Sequence, residues 1–594
     1  MEFIISHLIF WPFIIGGICR IIPEKTKFVR EFLSFITTLF LFIFSIKFFG
    51  IEKNWYPEPF FFSDTLSSFI FIGISLFGLL IVIYSIAFMK GKDFQNRYYS
   101  YILWTISAST GTVFSNHLIL LSAFWGFLGI TLYLLVNIGG EKAAYGAKKT
   151  FIIVGGSDSF LILGIALLWI LTGSLYMDQI SVSMTTRASY AAFLSLVIAS
   201  LAKAGAMPFH TWIPEISESA PTSVMAFLPA SLDKLLGIYL LARICLNLFQ
   251  FHYGLWLLLR FIGAITIVAA VMMAIIQHNM KKLLSYHAVS QVGYMVLGIA
   301  TGNPIGIAGG LFHMLNNAIY KCCLFLGAGA VEEKTKTTEL EQLGGLGKFM
   351  PFTFSCFLIA SLSISGVPPF NGFFSKWMVY QGLFEGAKDG SVLWTIWIIA
   401  AMIGSALTLA SFLKIIHSVF LGHSKEYQGK IKEVSFWMVL PSIVLAVFCI
   451  VFGIGYKIPT NLFLKPVVSG ISQFNVFLLI PSLSVIIIGL IFGFLGYIIF
   501  SSLKFKKATS FVGGEKVIPE MEMSGTEFYR TIEDIFPRIY KGAKNKIFDI
   551  YDIGKSIIFY FGNAFSSLHN GVLLTYISWI LFGVMILLFL FIRI

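Results

Sequence analysis

The chain has 594 residues, of which 57% are hydrophobic and only 12% are charged. A soluble protein of this size carries about a quarter charged residues, so the composition excludes a soluble globular enzyme and a disordered chain. The net charge of +13 fits loops that face anionic lipid, and no nucleic-acid partner is expected. The chain is therefore predicted to be a polytopic membrane protein.

Apolar runs of spanning length recur along the whole chain. Because lipid offers the backbone no hydrogen-bond partners, such runs must form helices. At about 20 residues per span, roughly fourteen to sixteen membrane helices fit the sequence. The candidate spans lie near residues 3–22, 28–50, 66–89, 100–115, 117–137, 149–173, 190–213, 221–249, 255–277, 283–301, 304–330, 349–367, 391–421, 434–456, 474–501 and 571–593.

Basic residues favour alternate loops in the N-terminal half. The loops after the first, third and fifth spans are basic, and the loops between them are poor in Lys and Arg. The positive-inside rule then predicts that these basic loops are cytoplasmic and that the N-terminus lies outside. We expect the chain in the inner (cytoplasmic) membrane of a cell.

A polar stretch at 504–570 departs from the spanning pattern. From about 526 to 563, apolar residues recur at helical spacing with lysines between them, which predicts an amphipathic helix on a membrane surface or a partner. Pro537 and Gly542 are expected to kink it. The predicted regions are N-terminal membrane helices (1–115), a core (116–425), further membrane helices (426–503), the surface segment (504–570) and an anchor helix (571–594).

Charged side chains within spans are costly, so they are candidates for function. Lys203 lies in the segment SLAKAGAMPFHTWIPE, whose small residues allow close helix approach. Pro208 and Pro214 should interrupt the helix and free backbone carbonyls that water or lysine can bind. His210 follows seven residues later, on nearly the same helical face. A lysine buried there can exchange protons; the alternative is a structural ion pair or a lysine that extends to the surface.

A second group lies in the segment HMLNNAIYK. His313, Asn317 and Lys321 are spaced i, i+4 and i+8, so they share one helical face. The pattern predicts a hydrogen-bonded relay of imidazole, amide and ammonium groups. No metal site is expected, because only one good ligand is present. The alternative is a structural histidine.

Further candidates lie in two other segments. Pro368 and Pro369 precede Lys376, a weak echo of the Lys203 segment and of the paired broken helices in repeat-built transporters. Asp233 and Lys234 are adjacent, so their side chains point about 100° apart, and Asp233 could pair with a lysine on a neighbouring helix. The remaining intramembrane candidates are Asp158 and Lys414, and any of these charges could also be only structural.

At these segments the chain resembles the antiporter-like subunits of respiratory complex I, of related membrane-bound hydrogenases and of Mrp cation/proton antiporters. The matching phrases are AKAGAMPFHTWIPE, LSYHAVSQVGYM, FHMLNNAIYKCCLFLGAGA and SGVPPFNGFFSKW. The C-terminal layout resembles the long L-type subunit, and PASLDKLLGIYLLAR resembles the hydrogenase-associated branch. The resemblance implies an all-α fold with inverted repeats.

The resemblance also implies roles for individual residues within the core at 116–425. Lys203 would be the lysine of the first half-channel, and Lys321 the central lysine with His313 beside it. Lys376 would be the lysine nearest the exit, and Lys281 a further polar link.

The sequence departs from the family at four positions. The family acid that normally partners the first lysine is absent, and we expect Asp233 to replace it and to pair with Lys203. Alternatively, the first half-channel no longer conducts. The departures are Gly126 for that acid, Gly155 for an arginine, Asn317 for a second histidine and Pro229 for a histidine.

The expected function is that of a proton-translocating subunit in a multi-subunit redox complex of the complex I or hydrogenase type. This chain is expected to carry no cofactor, and its six cysteines show no metal-ligand spacing. Iron–sulfur, flavin or nickel centres would belong to peripheral redox subunits. Other membrane subunits, including another antiporter-like one, would be partners. Alternatives are an Mrp-type sodium/proton antiporter subunit, the membrane partner of a gradient-driven bicarbonate-uptake system, and a structural scaffold.

Overall fold

The computed structural model describes residues 4–26, 28–49, 60–250, 253–387, 392–422, 431–468 and 529–592. The chain forms two compact units, Met1–Ile535 and Phe536–Ile594. The predicted span near 474–501 and the first part of the surface segment, 504–528, lie outside the described residues.

The first unit is built from helices whose bounds follow the apolar runs. Those before the core are α1 (Ile4–Ile21), α2 (Val29–Phe49), α3 (Thr65–Phe88) and α4 (Gln95–Phe114). The predicted core region, 116–425, contains α5 (Leu118–Asn137), α6 (Glu141–Thr150), α7 (Gly156–Thr172), α8 (Arg187–Ala204), α9 (Trp212–Ile216), α10 (Thr222–Phe227), α11 (Asp233–Arg243), α12 (Tyr253–Ile275), α13 (Met280–Ile299), α14 (Pro304–Thr335), α15 (Pro351–Ser365), α16 (Asn371–Ala387) and α17 (Val392–Ile415). Then follow α18 (Phe436–Ile454), α19 (Lys457–Pro459) and α20 (Arg530–Ile535).

Shorter elements join or extend these helices. Two-residue strands, β1 (Val182–Ser183) and β2 (Phe249–Gln250), pair in parallel. Turns of π-helix lie at Phe151–Gly155, Leu228–Leu232, Ile244–Leu248, Ile416–Leu421 and Thr460–Leu464. Turns of 3-10 helix lie at Met177–Gln179, Leu340–Gln342 and Leu346–Lys348.

Eleven helical segments among the described residues are long and apolar enough to cross a membrane. Two shorter apolar helices, Ile5–Ile21 and Pro351–Ser365, accompany them. The predicted all-α polytopic fold is therefore confirmed, while the total of fourteen to sixteen spans and the inverted repeats stay predictions. The segment Pro304–Thr335 is fully buried along its apolar window and packs against α13, α15, α16 and α18, so α14 is central to the core.

Two core helices break at corresponding points in their sequences. Helix α8 ends at Ala204 and α15 ends at Ser365. Each is followed by a glycine with positive φ, +75° at Gly205 and +80° at Gly366. A left-handed residue of this kind ends a helix without a Cβ clash, and it leaves the last carbonyls of the helix without intrahelical partners.

Pro208 and Pro214 were expected to interrupt the helix that carries Lys203, but α8 ends at Ala204, before either proline. Pro208 and Pro369 lie in the turns that follow the glycines, whereas Pro214 lies in the first turn of α9, where a missing N–H costs nothing. His210 lies in the turn between α8 and α9. The prediction that His210 shares a helical face with Lys203 was therefore wrong, because α8 ends before reaching it.

Helices α8 and α11 cross at very short range. The Ser200 hydroxyl donates to the Gly237 carbonyl at 2.8 Å. A Cβ on Gly237 would lie 2.6 Å from the backbone nitrogen of Ala204. A glycine is therefore required on α11 opposite the end of α8.

The second unit holds the C-terminal helices α21 (Pro537–Lys544), α22 (Ile550–Leu568) and α23 (Leu573–Ile592). The predicted surface helix is thus divided rather than continuous. A break falls at Pro537, as expected, but Gly542 lies inside α21, and the second break falls at 545–549. Helix α23 fits the predicted anchor, and it buries no side chain within the described structure.

We expect Gly237→Ala to destabilise the core by about 1–3 kcal/mol, because its methyl group meets rigid backbone of α8. The measurement is the midpoint of thermal unfolding in detergent. The matched control is Gly156→Ala, since a Cβ on Gly156 meets no atom within 4 Å. An unchanged midpoint for Gly237→Ala would contradict the close crossing.

Candidate functional site

Two buried lysines meet at the break after α8. The Lys234 ammonium group donates to the Ala204 carbonyl at 2.5 Å, so it caps the freed end of α8. The Lys203 ammonium group donates to the Trp125 carbonyl at 3.4 Å and lies 4.7 Å from the centroid of the Trp125 ring. Both lysines are almost completely buried. The expectation that the break would free a carbonyl for a lysine is met by Lys234.

Two acids accompany this pair. The carboxylates of Asp158 and Asp233 both interact electrostatically with Lys203, and Asp233 also interacts with Lys234. Among the described residues, neither acid forms an ion pair with Lys203 within 4 Å. The expected pairing of Asp233 with Lys203 is therefore not a contact ion pair, because Lys203 is held at the Trp125 carbonyl.

Asp158 lies beside the glycine face of α5, where the resemblance implies an acid at position 126. Its Oδ2 lies 3.9 Å from the position of a Cβ on Gly126 and 3.6 Å from that on Gly129. Apart from the backbone of α5 and the adjoining residues, no other described atom lies within 4 Å of either position. The glycine face of α5 therefore leaves room for a carboxylate that now comes from α7.

The central lysine is also held by a carbonyl. The Lys321 ammonium group donates to the Leu284 carbonyl of α13 at 2.8 Å and lies 5.5 Å from the Phe412 ring centroid. Asn317 reaches only the Ala230 carbonyl, at 3.5 Å. The predicted set of three does share helix α14, but no hydrogen bond joins its members.

His313 is instead bound to neighbouring helices. Its Nδ1 lies 2.9 Å from the Ser375 hydroxyl, and its Nε2 lies 3.1 Å from Gln291 Oε1. The Tyr294 ring lies 5.4 Å from the His313 ring and 4.7 Å from the Lys376 ammonium group, so His313 lies near Lys376 rather than Lys321. The expected placement of His313 next to the central lysine is thus corrected.

Lys376 repeats the arrangement of Lys234 at the second break. Its ammonium group donates to the Ile364 carbonyl of α15 at 2.8 Å and lies 4.7 Å from the Tyr294 ring centroid. Both breaks therefore place a buried lysine on the freed carbonyls of the preceding helix. This agrees with the similarity in sequence between the Lys203 segment and the segment that contains Lys376.

Lys281 and Lys414 lie apart from these four lysines. The Lys281 ammonium group pairs with Glu332 at 2.7 Å, and Glu332 is partly exposed. The Lys414 ammonium group donates to the carbonyls of Ile275 and Gln277 at 3.0 and 2.9 Å. Lys414 therefore caps the C-terminus of α12.

Several contacting groups were not singled out from the sequence. Gln291 and Ser375 belong to the phrases that carry the resemblance, and Trp125 lies in an apolar run. Only the packing brings these three residues to a lysine or a histidine. Glu332 belongs to the charged run VEEKTK, which by pattern is an ordinary helix end. Across the described ranges, no three His, Cys, Asp or Glu side chains gather as a metal site would require.

Comparison with known sequences places the core in a defined family. The sequence model described as NADH:quinone oxidoreductase/Mrp antiporter, TM, matches residues 115–408. The Na(+)/H(+) antiporter subunit A1 of Staphylococcus aureus (strain MRSA252) is 32% identical over 425 residues, which cover 67% of this chain and 53% of that protein. The chain thus spans about half the length of the curated relatives it matches.

Solved structures share the fold. A chain of the membrane-bound sulfane sulfur reductase, an archaeal respiratory membrane complex, has a TM-score of 0.79 at 21% identity, covering 98% of this chain and 99% of that chain. A chain of the Mrp complex from Dietzia sp. DQ12-45-1b has a TM-score of 0.71 at 20% identity, covering 78% and 97%.

We expect Lys414→Gln to lower stability by about 0.3–2 kcal/mol, because it removes a cation from the C-terminal end of α12. The measurement is again thermal unfolding in detergent. Lys348→Gln, which changes an exposed lysine, is the control. Equal midpoints of thermal unfolding for the two variants would contradict the capping role of Lys414.

Proposed function

Because this chain is an antiporter-like membrane subunit of the superfamily that includes NADH:quinone oxidoreductase and Mrp antiporter chains, we propose that it translocates protons as one subunit of a larger redox complex. The observation that carries the proposal is a set of four buried lysines whose ammonium groups bind backbone carbonyls. These are Lys203, Lys234, Lys321 and Lys376. The resemblance predicted from the sequence motifs is confirmed by the same comparisons.

Three of the four lysines are linked by electrostatic interactions. Asp233 interacts with both Lys203 and Lys234, and Lys234 interacts with Lys321. Two unit charges about 4–8 Å apart interact by about 2–4 kcal/mol at an effective dielectric constant near 20. That energy changes the protonation equilibrium of a neighbouring lysine by roughly one and a half to three orders of magnitude. A charge change at Lys203 thereby drives proton release at Lys234 and Lys321 in turn, and then at Lys376.

Carbonyl anchoring suits this cycle. A carbonyl is neutral, so a lysine that loses its proton leaves no unpaired carboxylate behind in the membrane interior. Protons are therefore the proposed substrate, since a neutral lysine amine binds a proton and the resulting ammonium group repels sodium.

Redox coupling would reside in partner subunits of the cytoplasmic membrane. The fold match over nearly the whole length of a subunit from a respiratory complex supports this assembly. Iron–sulfur, flavin or nickel centres would belong to those partners.

The second candidate is sodium/proton antiport in an Mrp-type complex. The 32% identity to a protein named Na(+)/H(+) antiporter subunit A1 favours it.

Purification from native membranes in mild detergent separates the two. Co-purifying subunits that carry iron with flavin or nickel would support the redox complex. Small membrane subunits without metal, together with sodium-dependent collapse of a preset pH gradient in everted vesicles, would support the antiporter and contradict the main proposal.

We expect Lys321→Met to lower proton uptake at least tenfold, because Lys321 is the central member of the lysine set. The measurement is fluorescence quenching of a pH-sensitive amine in everted native vesicles containing the assembled complex. Lys348→Met serves as the control on the surface. Wild-type uptake by an assembled Lys321→Met complex would refute the lysine mechanism.

For the first lysine, we expect Asp158→Asn to reduce uptake several-fold, because it removes one of two acids that act on Lys203. Adding Gly126→Glu should restore much of the rate, since α5 has room for a side chain beside Asp158. The control is the double variant Asp233→Asn/Gly126→Glu. It tests whether the glutamate on α5 replaces Asp158 specifically, or compensates for the loss of either acid. No recovery in an assembled Asp158→Asn/Gly126→Glu complex would mean that the acid cannot be relocated.

A further inference from the structure

One face of α13 connects the central lysine to the lysine at the second break. Leu284, His287, Gln291 and Tyr294 follow one another at helical spacing, so they line one side of the helix. At the first position the Leu284 carbonyl holds the Lys321 ammonium group. At the last, the Tyr294 ring lies under the Lys376 ammonium group. The ten steps from Leu284 to Tyr294 rise about 15 Å along the helix axis, which is more than one hydrogen bond can span.

His287 lies inside this interval. Its side chain is fully buried, and among the described residues neither ring nitrogen has a hydrogen-bond partner. An unsatisfied buried polar group destabilises a protein, so a histidine with two such nitrogens is unfavourable if packing is its only role. Both Lys321 and Lys376 interact with it electrostatically.

The neighbours of His287 hold it close to the central lysine. Its ring centroid lies 4.9 Å from that of Phe412, with 42° between the ring planes, and the centroid of the same Phe412 ring lies 5.5 Å from the Lys321 ammonium group. Towards Lys376, the next residue on this face of α13 is Gln291, whose Oε1 contacts His313. His313 in turn reaches Ser375, the residue before Lys376.

We propose that His287 is the proton-carrying station between Lys321 and Lys376, a role that rests on the proposed function of the chain. The Lys321 ammonium group gives one proton, through a bridging water, to one nitrogen of the neutral imidazole. The imidazolium then gives the proton on its other nitrogen, through water beside Gln291 and His313, to the neutral amine of Lys376. One proton moves, Lys321 becomes neutral and Lys376 becomes charged, and His287 returns to its neutral form after its tautomer resets.

His313 is less suited to that step. Both of its nitrogens already lie within hydrogen-bond distance of Ser375 and Gln291, so its ring is held in place. His287 has both nitrogens available to accept and to release a proton. The charged groups that interact with His287 are Lys321 of α14 and Lys376 of α16. The apolar ring of Phe412, from α17, packs against it.

The test compares His287→Gln, His287→Asn and His287→Ala in the assembled complex, with proton uptake measured in everted native vesicles. We expect each variant to lose at least tenfold, because an amide or a methyl group cannot carry the proton. Millimolar imidazole should restore part of the rate in His287→Ala only. His278→Gln, which changes an exposed histidine beside Glu341, should keep the wild-type rate.

The outcomes separate this proposal from the proposed function. If Lys321→Met abolishes uptake while an assembled His287 variant pumps at the wild-type rate, the station is refuted and the lysine mechanism stands. If Lys321→Met also pumps normally, the proposed function itself fails. If none of the three His287 variants assembles, His287 is a packing residue and the station is likewise refuted. Loss of uptake with imidazole rescue supports it.

Discussion

An ammonium group in the membrane interior must find hydrogen-bond acceptors, because burying it alone costs many kcal/mol. In this protein the acceptors are main-chain carbonyls rather than carboxylates. Two of the four carbonyls, those of Ala204 and Ile364, lie at the helix breaks, where the last carbonyls of a helix lack intrahelical partners. The other two, those of Trp125 and Leu284, lie within α5 and α13.

The two breaks share this physical plan but differ in their charge. Lys234 and Lys376 each cap a helix that ends just before or at a left-handed glycine turn. At the first break, Asp158 and Asp233 both interact with Lys203, and Asp233 also interacts with Lys234, whereas no acid interacts with Lys376 among the described residues. The first break therefore has acids that the second lacks.

At position 126 the resemblance implies an acid, and this chain has a glycine. Asp158 reaches the glycine face of α5 from α7 and interacts electrostatically with Lys203. A carboxylate near Lys203 is thus provided by a different helix. A different helix packing would have left Lys203 with Asp233 alone.

The sequence by itself determined the all-α membrane fold, the two broken segments and the importance of Lys203, Lys321 and Lys376, because hydropathy, glycine–proline patterns and buried charge are local properties. It also predicted that freed carbonyls would bind lysine. Only the tertiary structure decided the partners: His313 lies beside Lys376, Asp158 faces Gly126, Lys414 caps α12, and His287 lies between two lysines. These facts depend on which faces of distant helices meet, and helical spacing along one segment carries no information about that.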